Sequence, residues 1–505
     1  MNIPILRLGE SYTSLDLVEL DLGNGETLTT HTANPGLIRR DLLQVAKAKA
    51  ALDAIPAETL ADYCEQAAEL FLHADLPCGT KEHRRLACVA SPQESEPSLQ
   101  SPQQYIEALS ALTRLPHTLV RMNMGKIHAA MSEIRTVIGG LTRQLPLEIF
   151  DKGLTSIGAR TLVRPNSPEK ESPSLTVNYF PATTSLGVSL PSNAPAVNSL
   201  WIPAPVMKIP VFLKPGREDP FTPLRIVQAM IQAGFPKEAF GFYPTTHEGG
   251  DTILTTCGRG IAFGNDTTLA KYAAFPSISV HGTGRSKILI GEDMIERWPE
   301  FLDVIVQSIS ANGGRSCINT SAILVPSHRD ELADALAKKL AEIQPHARDD
   351  ENALLCGFAN PAMADGIDEL ITAHLKEPGA EDLTAKHRSS ERKVEAFDQF
   401  YLNPTLISCT DKDHPLANTE FMFPYASIVE MPQSEMVGSI GETLVVSAFT
   451  EDQNFISELL LSPDIERLNL GPYPTNRVQW EQPHEGNLFE FLYHRRAIQG
   501  DVALT

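Results

Sequence analysis

Through most of the first 160 positions, apolar residues recur every third or fourth place, the spacing of one helix face. Leu60, Cys64, Ala67, Ala68 and Phe71 share such a stripe, and so do Ile127, Met131, Ile134 and Ile138. The second stripe runs into Gly139-Gly140, a pair suited to ending a helix. Polar, proline-bearing segments around residue 97 and over 164–174 read as surface loops. The latter separates Leu162-Val163 from the apolar run 175–180, which predicts a protruding β-hairpin.

From 185 the period changes. LGVSLPS, KIPVFLK, AFGFYPT, GIAFGN, ISVHG and KILIGE are short apolar runs that predict strands. Helical stretches such as PLRIVQAMIQAGF and TTLAKYAAF lie between them. Alternation of this kind implies βαβ units and a parallel, doubly wound sheet. FLDVIVQSIS, SAILVP and ELADALAKKLAEI then repeat the helix–strand–helix pattern, so the chain predicts two α/β domains in series.

Charge narrows the possible partners. The 505 residues carry 63 acidic and 42 basic side chains, a net charge of -21. That excess weighs against nucleic-acid and anionic-membrane binding, which need clustered Lys and Arg. The uncharged stretch Tyr179–Met207 is broken by Pro181, Pro191, Pro195, Pro203 and Pro205, so it predicts no membrane helix. The first residues lack the basic start and long apolar run of an export signal. Seven widely spaced cysteines without a C-x-x-C fit neither a disulfide framework nor a zinc cluster, so a reducing, cytoplasmic setting is expected. His247-Glu248-Gly249-Gly250-Asp251 lacks the second histidine of a zinc helix, and no metal is expected.

The most informative segment is SANGGRSCINTSAILVP, where Cys317 stands on a loop between a predicted helix and a predicted strand. A thiol there suits a nucleophile, although a buried packing cysteine has the same local sequence. Asn193 between prolines suits a turn, Lys214 a solvated strand end, and Glu420 a loop charge.

Read in order, these segments resemble the aldehyde dehydrogenase superfamily. Cys317 ends an Asn-x-Gly-x-x-Cys pattern like that of the family's nucleophile. LGVSLPSNAPAVNSLW is similar to the segment bearing the oxyanion-hole amide, which falls on Asn193. VFLKPGREDPFTPLRIVQAMIQAGFP resembles the strand and helix whose lysine, here Lys214, meets the adenine ribose. GIAFGNDTTLAKYAA resembles the turn facing the pyrophosphate, with Asn265 and Asp266 in place of Gly-Ser. NTEFMFPYASIVE resembles the segment whose glutamate, here Glu420, binds the nicotinamide ribose. The general-base segment aligns with ISVHGTGRSKILI and puts His281 where relatives carry Glu. Imidazole can take a proton in that place, predicting a loss of activity as the histidine titrates in acid. Arg217 favours a 2′-phosphate and the adjacent Glu218 a 2′-hydroxyl, so the resemblance leaves NAD and NADP both open. The family's C-terminal P-F-G-G is replaced by LNLGPYPTNRVQWEQPHEGNLFEF.

The resemblance implies a nucleotide-binding domain over 1–161 and 185–281, a catalytic domain over 282–476, and an oligomerisation extension from 162–184 and 477–505. It implies NAD(P)-dependent oxidation of an aldehyde to an acid through a covalent Cys317 thioester, in a homodimer or homotetramer. Two alternatives stay open: a CoA-acylating dehydrogenase or acyl-CoA reductase acting on an acyl thioester, and a non-catalytic scaffold.

Overall fold

The computed structural model describes residues 1–23, 25–80, 97–158 and 174–498. Two seven-stranded sheets dominate it. In the first, Ile278–His281, Arg259–Phe263, Leu186–Ser189, Val211–Lys214 and Phe240–Phe242 run parallel in that spatial order. Ile5–Arg7 and Glu10–Tyr12 close its edge antiparallel. Leu186–Ser189, Val211–Lys214 and Phe240–Phe242 are buried on both faces, which is why they read as unbroken apolar runs rather than alternating ones. Helices Phe221–Ala233 and His247–Thr256 make the crossovers.

The second sheet orders Thr405–Cys409, Tyr425–Glu430, Thr320–Val325, Ser286–Ile290, Thr443–Phe449 and Ile465–Leu470 in parallel, with Ala380–Asp382 antiparallel at one edge. Strand order in the first sheet reverses between Leu186–Ser189 and Arg259–Phe263, the kind of switch point where open α/β sheets leave a crevice beyond their carboxyl ends. The chain passes from His281 to Ser286, the start of the next sheet, in a few residues. The carboxyl edge of the first sheet therefore faces the amino edge of the second, and the loops at that junction hold the candidate site.

Helices prevail over the first 160 positions, as their apolar stripes predict, and a five-stranded sheet accompanies them, combining Leu17–Gly23, Glu26–His31, Asn2–Ile3, Leu76–Thr80 and Pro97–Gln100. Three sequence expectations change. Of the polar, proline-bearing segment around 97, residues 91–96 lie outside the described residues; Pro97–Gln100 form that last strand, and helix Pro102–Thr113 follows, started by a reciprocal capping box of Ser101 and Gln104 at 3.2 and 2.9 Å. Gly139 and Gly140 lie within helix Ile134–Leu141 rather than ending it. A Cβ on Gly140 would stand 2.0 Å from the carbonyl oxygen of Glu481, so the glycine seats the C-terminal tail. TTLAKYAAF makes only one α-turn, Asp266–Leu269, and a 3₁₀ turn, Ala270–Tyr272.

Leu154–Gly158 and Ser174–Pro181 pair antiparallel, and Tyr493–Arg496 joins the other side of Ser174–Pro181. The predicted first arm at Leu162-Val163 and its loop to 173 lie outside the described residues. Among the described residues, no helix is long and apolar enough to cross a membrane.

Candidate active site

Three consecutive left-handed residues, Asn312, Gly313 and Gly314 (φ 53°, 63° and 71°), bend the chain between helix Leu302–Ser310 and Cys317. A Cβ on Gly314 would lie 2.2 Å from the Phe423 backbone, so only glycine fits there. The loop is then fastened by side chains. Asn319 Oδ1 accepts from the Ser316 N–H at 2.9 Å, while its amide donates to the carbonyls of Ser308 and Ala311. Arg315 is buried and donates to Thr113 and Gly357 carbonyls. The Cys317 carbonyl accepts from Ser286 Oγ at 2.8 Å.

Cys317 is half-buried, whereas the other five cysteines of the described residues are buried. It lines a cavity of about 50 Å³ with Asn193, Lys126, His484 and Trp480. Asn193 Nδ2 donates to the Arg315 carbonyl at 2.7 Å, which fixes its amide beside the cysteine loop. Asn123 clasps both walls, donating to Asn312 Oδ1 at 2.8 Å and accepting from the Ala196 N–H at 3.2 Å. Burial, together with the charges of Glu485 and Glu420, pushes the Cys317 thiol well above its ordinary pKa.

His281 ends its strand buried, stacked obliquely on Phe263 at 4.7 Å. Its Nδ1 contacts Glu485 Oε2 and its Nε2 meets Ser279 Oγ at 3.1 Å. It lines a larger chamber, about 260 Å³, that also contains Ser279 and Glu485. Trp480, His484 and Leu200 border both chambers. His281, expected at the general-base position, thus faces a carboxylate from the C-terminal tail. Its two nitrogens are engaged by Ser279 and Glu485, and Glu485 is the carboxylate whose charge acts on Cys317.

Glu485 comes from the tail and holds a left-handed backbone (φ 52°), an uncommon conformation for a residue with a Cβ. Burial pushes its carboxyl up, but the facing His281 outweighs this and holds it below the ordinary value. Burial pushes the neighbouring His484 down to about 4. Arg467 meets His484 Nδ1 at 2.9 Å and donates to the Arg477 carbonyl at 3.0 Å.

On the far side of Gly284, where a Cβ would strike the Cys317 carbonyl at 2.0 Å, Glu420 Oε2 accepts the Arg285 N–H at 2.7 Å. Burial raises the Glu420 carboxyl to about 7 against the pull of the backbone N–H groups. Lys287 Nζ donates to the Arg285 carbonyl and to Thr443 Oγ1, and burial lowers it to about 7 as well. Asp266, whose carboxylate alone would repel a pyrophosphate, is paired with Arg285 and accepts from Thr283 Oγ1 at 3.1 Å. Its charge is thus compensated locally. Asn265 is committed to capping, accepting from the Thr268 N–H at 2.9 Å.

Across the switch-point crevice, Lys214 ends its strand half-buried with its stem over Gly250. Gly216 packs so tightly on Pro191-Ser192 that a Cβ would lie 2.2 Å from Ser192 Oγ. Arg217 is exposed, and the Glu218 N–H donates to Ser192 Oγ at 3.2 Å.

The aldehyde dehydrogenase family model matches residues 157–442, more than half of the chain. The chain belongs to the aldehyde dehydrogenase family. Solved structures agree on the fold across nearly the whole length. An NAD-dependent aldehyde dehydrogenase from Sinorhizobium meliloti is 16% identical, with a TM-score of 0.74, covering 100% of this chain and 97% of that one. An NAD-dependent benzaldehyde dehydrogenase from Corynebacterium glutamicum is 16% identical at TM-score 0.72, covering 98% and 97%. An NADP-dependent enzyme of E. coli is 12% identical at TM-score 0.73, covering 98% of each chain.

Within this aldehyde dehydrogenase, sequence reasoning brought Cys317, Asn193, His281 and Glu420 to one junction and missed Glu485, His484, Arg467, Lys287 and Lys126. Residues of segment 478–487, which sequence groups with the oligomerisation extension, line the two chambers, and Tyr493–Arg496 joins the small sheet.

Proposed function

We propose that this protein oxidises an aldehyde to a carboxylic acid through a covalent adduct on Cys317, with NAD or NADP as acceptor. The observation that carries the reading is one cavity wall shared by the half-buried Cys317 and the Asn193 amide. Cys317 Sγ attacks the carbonyl carbon. The second N–H of Asn193 Nδ2, whose first is held by the Arg315 carbonyl, faces the developing alkoxide. Because burial and two carboxylates keep the thiol protonated, a base must take its proton as the bond forms. The Glu485–His281 pair is assigned that role, and later the activation of water against the thioester.

A dinucleotide suits the crevice chemically: Lys214 offers a half-buried cation, Glu420 has a carboxylate oxygen beyond the one on Arg285, and the Asp266 charge is compensated. When bound, the nicotinamide supplies the hydride acceptor. Lys214, Glu420 and the turn at Asn265-Asp266 would hold it, with Arg217 and Glu218 near enough in sequence to set the 2′-phosphate preference. The small three-stranded sheet offers its outer strands for pairing in a dimer or tetramer.

The test is formation of NADH or NADPH over an aldehyde panel, with and without CoA. Turnover that requires CoA would identify a thiol acceptor in place of water, and no turnover with any aldehyde would favour the scaffold. Glu420 adds a sharper expectation. A carboxyl at about 7 is protonated below that pH and then accepts hydroxyl hydrogen bonds poorly, so cofactor affinity falls as pH drops through 7. We expect about three- to tenfold weaker binding at pH 6 than at pH 8 by tryptophan quenching, the size of one modest hydrogen bond. The dependence flattens in Glu420→Gln; an equal slope in that variant would assign the titration elsewhere.

A further inference from the structure

We propose that the Cys317 cavity selects a short aldehyde bearing an anionic group, with Lys126 as the residue that binds the anion. This rests on the reading of Cys317 as the nucleophile and adds the substrate class. Lys126 lies on helix His117–Ser132, one turn beyond the Asn123 that clasps both loops of the site. It lines the same small cavity as Cys317 and Asn193. Among the described residues its ammonium enters no ion pair and donates no hydrogen bond.

That isolation is notable in a chain with 63 acidic side chains. Burial alone lowers the Lys126 pKa, and no carboxylate acts against it. A partly desolvated ammonium without a counter-ion is costly, and an anion arriving with the substrate offsets that cost. No other side chain lining the cavity is cationic: His484 is held neutral at pH 7, and Ala194, Val197, Ile318, Val478 and Trp480 are apolar, while Arg467, which acts electrostatically on Cys317, stands behind His484 and is engaged by it and the Arg477 carbonyl.

Charge also dictates orientation. Glu420 and Glu485 act electrostatically on Cys317, so they repel an anion at the thiol end of the cavity. An anionic aldehyde is therefore seated with its carbonyl on Cys317 and its charge toward Lys126. The small cavity, near 50 Å³, favours a compact substrate over a bulky one. A carboxylate and a phosphate share this chemistry, and the assay separates them.

The experiment compares kcat/KM for 4-oxobutanoate, glyceraldehyde 3-phosphate and butanal at saturating cofactor, in the wild type, Lys126→Met and Lys126→Arg. We expect one of the two anionic aldehydes to exceed butanal by about 10- to 100-fold, the range of a charge-assisted hydrogen bond. That ratio falls toward one in Lys126→Met, mainly through KM, and is largely kept in Lys126→Arg. A wild-type preference for butanal, or an unchanged ratio in Lys126→Met, overturns the proposal. If the wild type oxidises none of the three, the reading of the reaction fails instead. The anion subsite is then judged by whether succinate slows alkylation of Cys317 in the wild type but not in Lys126→Met; equal protection in both, or none in either, overturns it.

Discussion

Replacing Cys317 with alanine lowers turnover by about four orders of magnitude or more, the scale of losing a covalent nucleophile, while cofactor binding persists. The expectation follows from position. Among the described residues Cys317 is the one cysteine not buried, and its loop is pinned by Asn319, Arg315 and Asn193 on three sides. The thiol nevertheless starts protonated, because burial and the charges of Glu485 and Glu420 disfavour the thiolate. Two consequences are measurable. Iodoacetamide labels Cys317 ahead of Cys78, Cys257 and Cys409, whose thiols are buried and pushed up to about 12. The labelling rate also climbs through the alkaline range without levelling near pH 9, since the raised pKa keeps the thiolate a minor species there. Activity above a few per cent in Cys317→Ala, or first labelling at a buried thiol, would remove Cys317 from the mechanism.

Legibility in the sequence followed burial. Strands covered on both faces, such as Val211–Lys214 and Thr320–Val325, appear as apolar runs that no loop imitates, so the two parallel sheets could be read directly. The N-terminal sheet is harder because Leu17–Gly23 is largely exposed and carries charges at alternate places. Its legible signal is the Asn24-Gly25 dipeptide between two alternating runs, a hairpin-turn pair. The nucleophile loop and Asn193 were readable because their chemistry is written in contiguous residues. The contact between His281 and Glu485 was not. His281 and Glu485 meet across 204 positions, and nothing local to His484-Glu485-Gly486 indicates that the tail folds back beneath the first sheet. Lys126 is hidden for a different reason: within its helix it reads as an ordinary polar position, and only the cavity makes its missing counter-ion visible.

Glu485→Gln is expected to reduce kcat by roughly 10²- to 10⁴-fold, the range for removing a general base, while making Cys317 more reactive toward alkylation. The two effects run in opposite directions from one cause. The Glu485 carboxylate is kept ionised by the imidazole it faces, even though burial opposes this. Its charge raises the thiol pKa, so neutralising it lowers that pKa and enlarges the thiolate fraction at neutral pH. An iodoacetamide rate several-fold above wild type at pH 7.5 reports that gain. The same change removes the acceptor of the proton, so the thioester forms and is hydrolysed slowly despite a better nucleophile. His281→Gln separates position from charge. It keeps a donor for Glu485 but removes the imidazole, so a smaller loss in kcat is expected. Glu485→Asp, which withdraws the carboxylate by one methylene yet keeps its charge, should preserve the slow alkylation and recover part of the activity. If Glu485→Gln slowed turnover and alkylation together, the residue would be serving only to hold the tail in its left-handed turn, and the base would have to be sought among the other groups around Cys317.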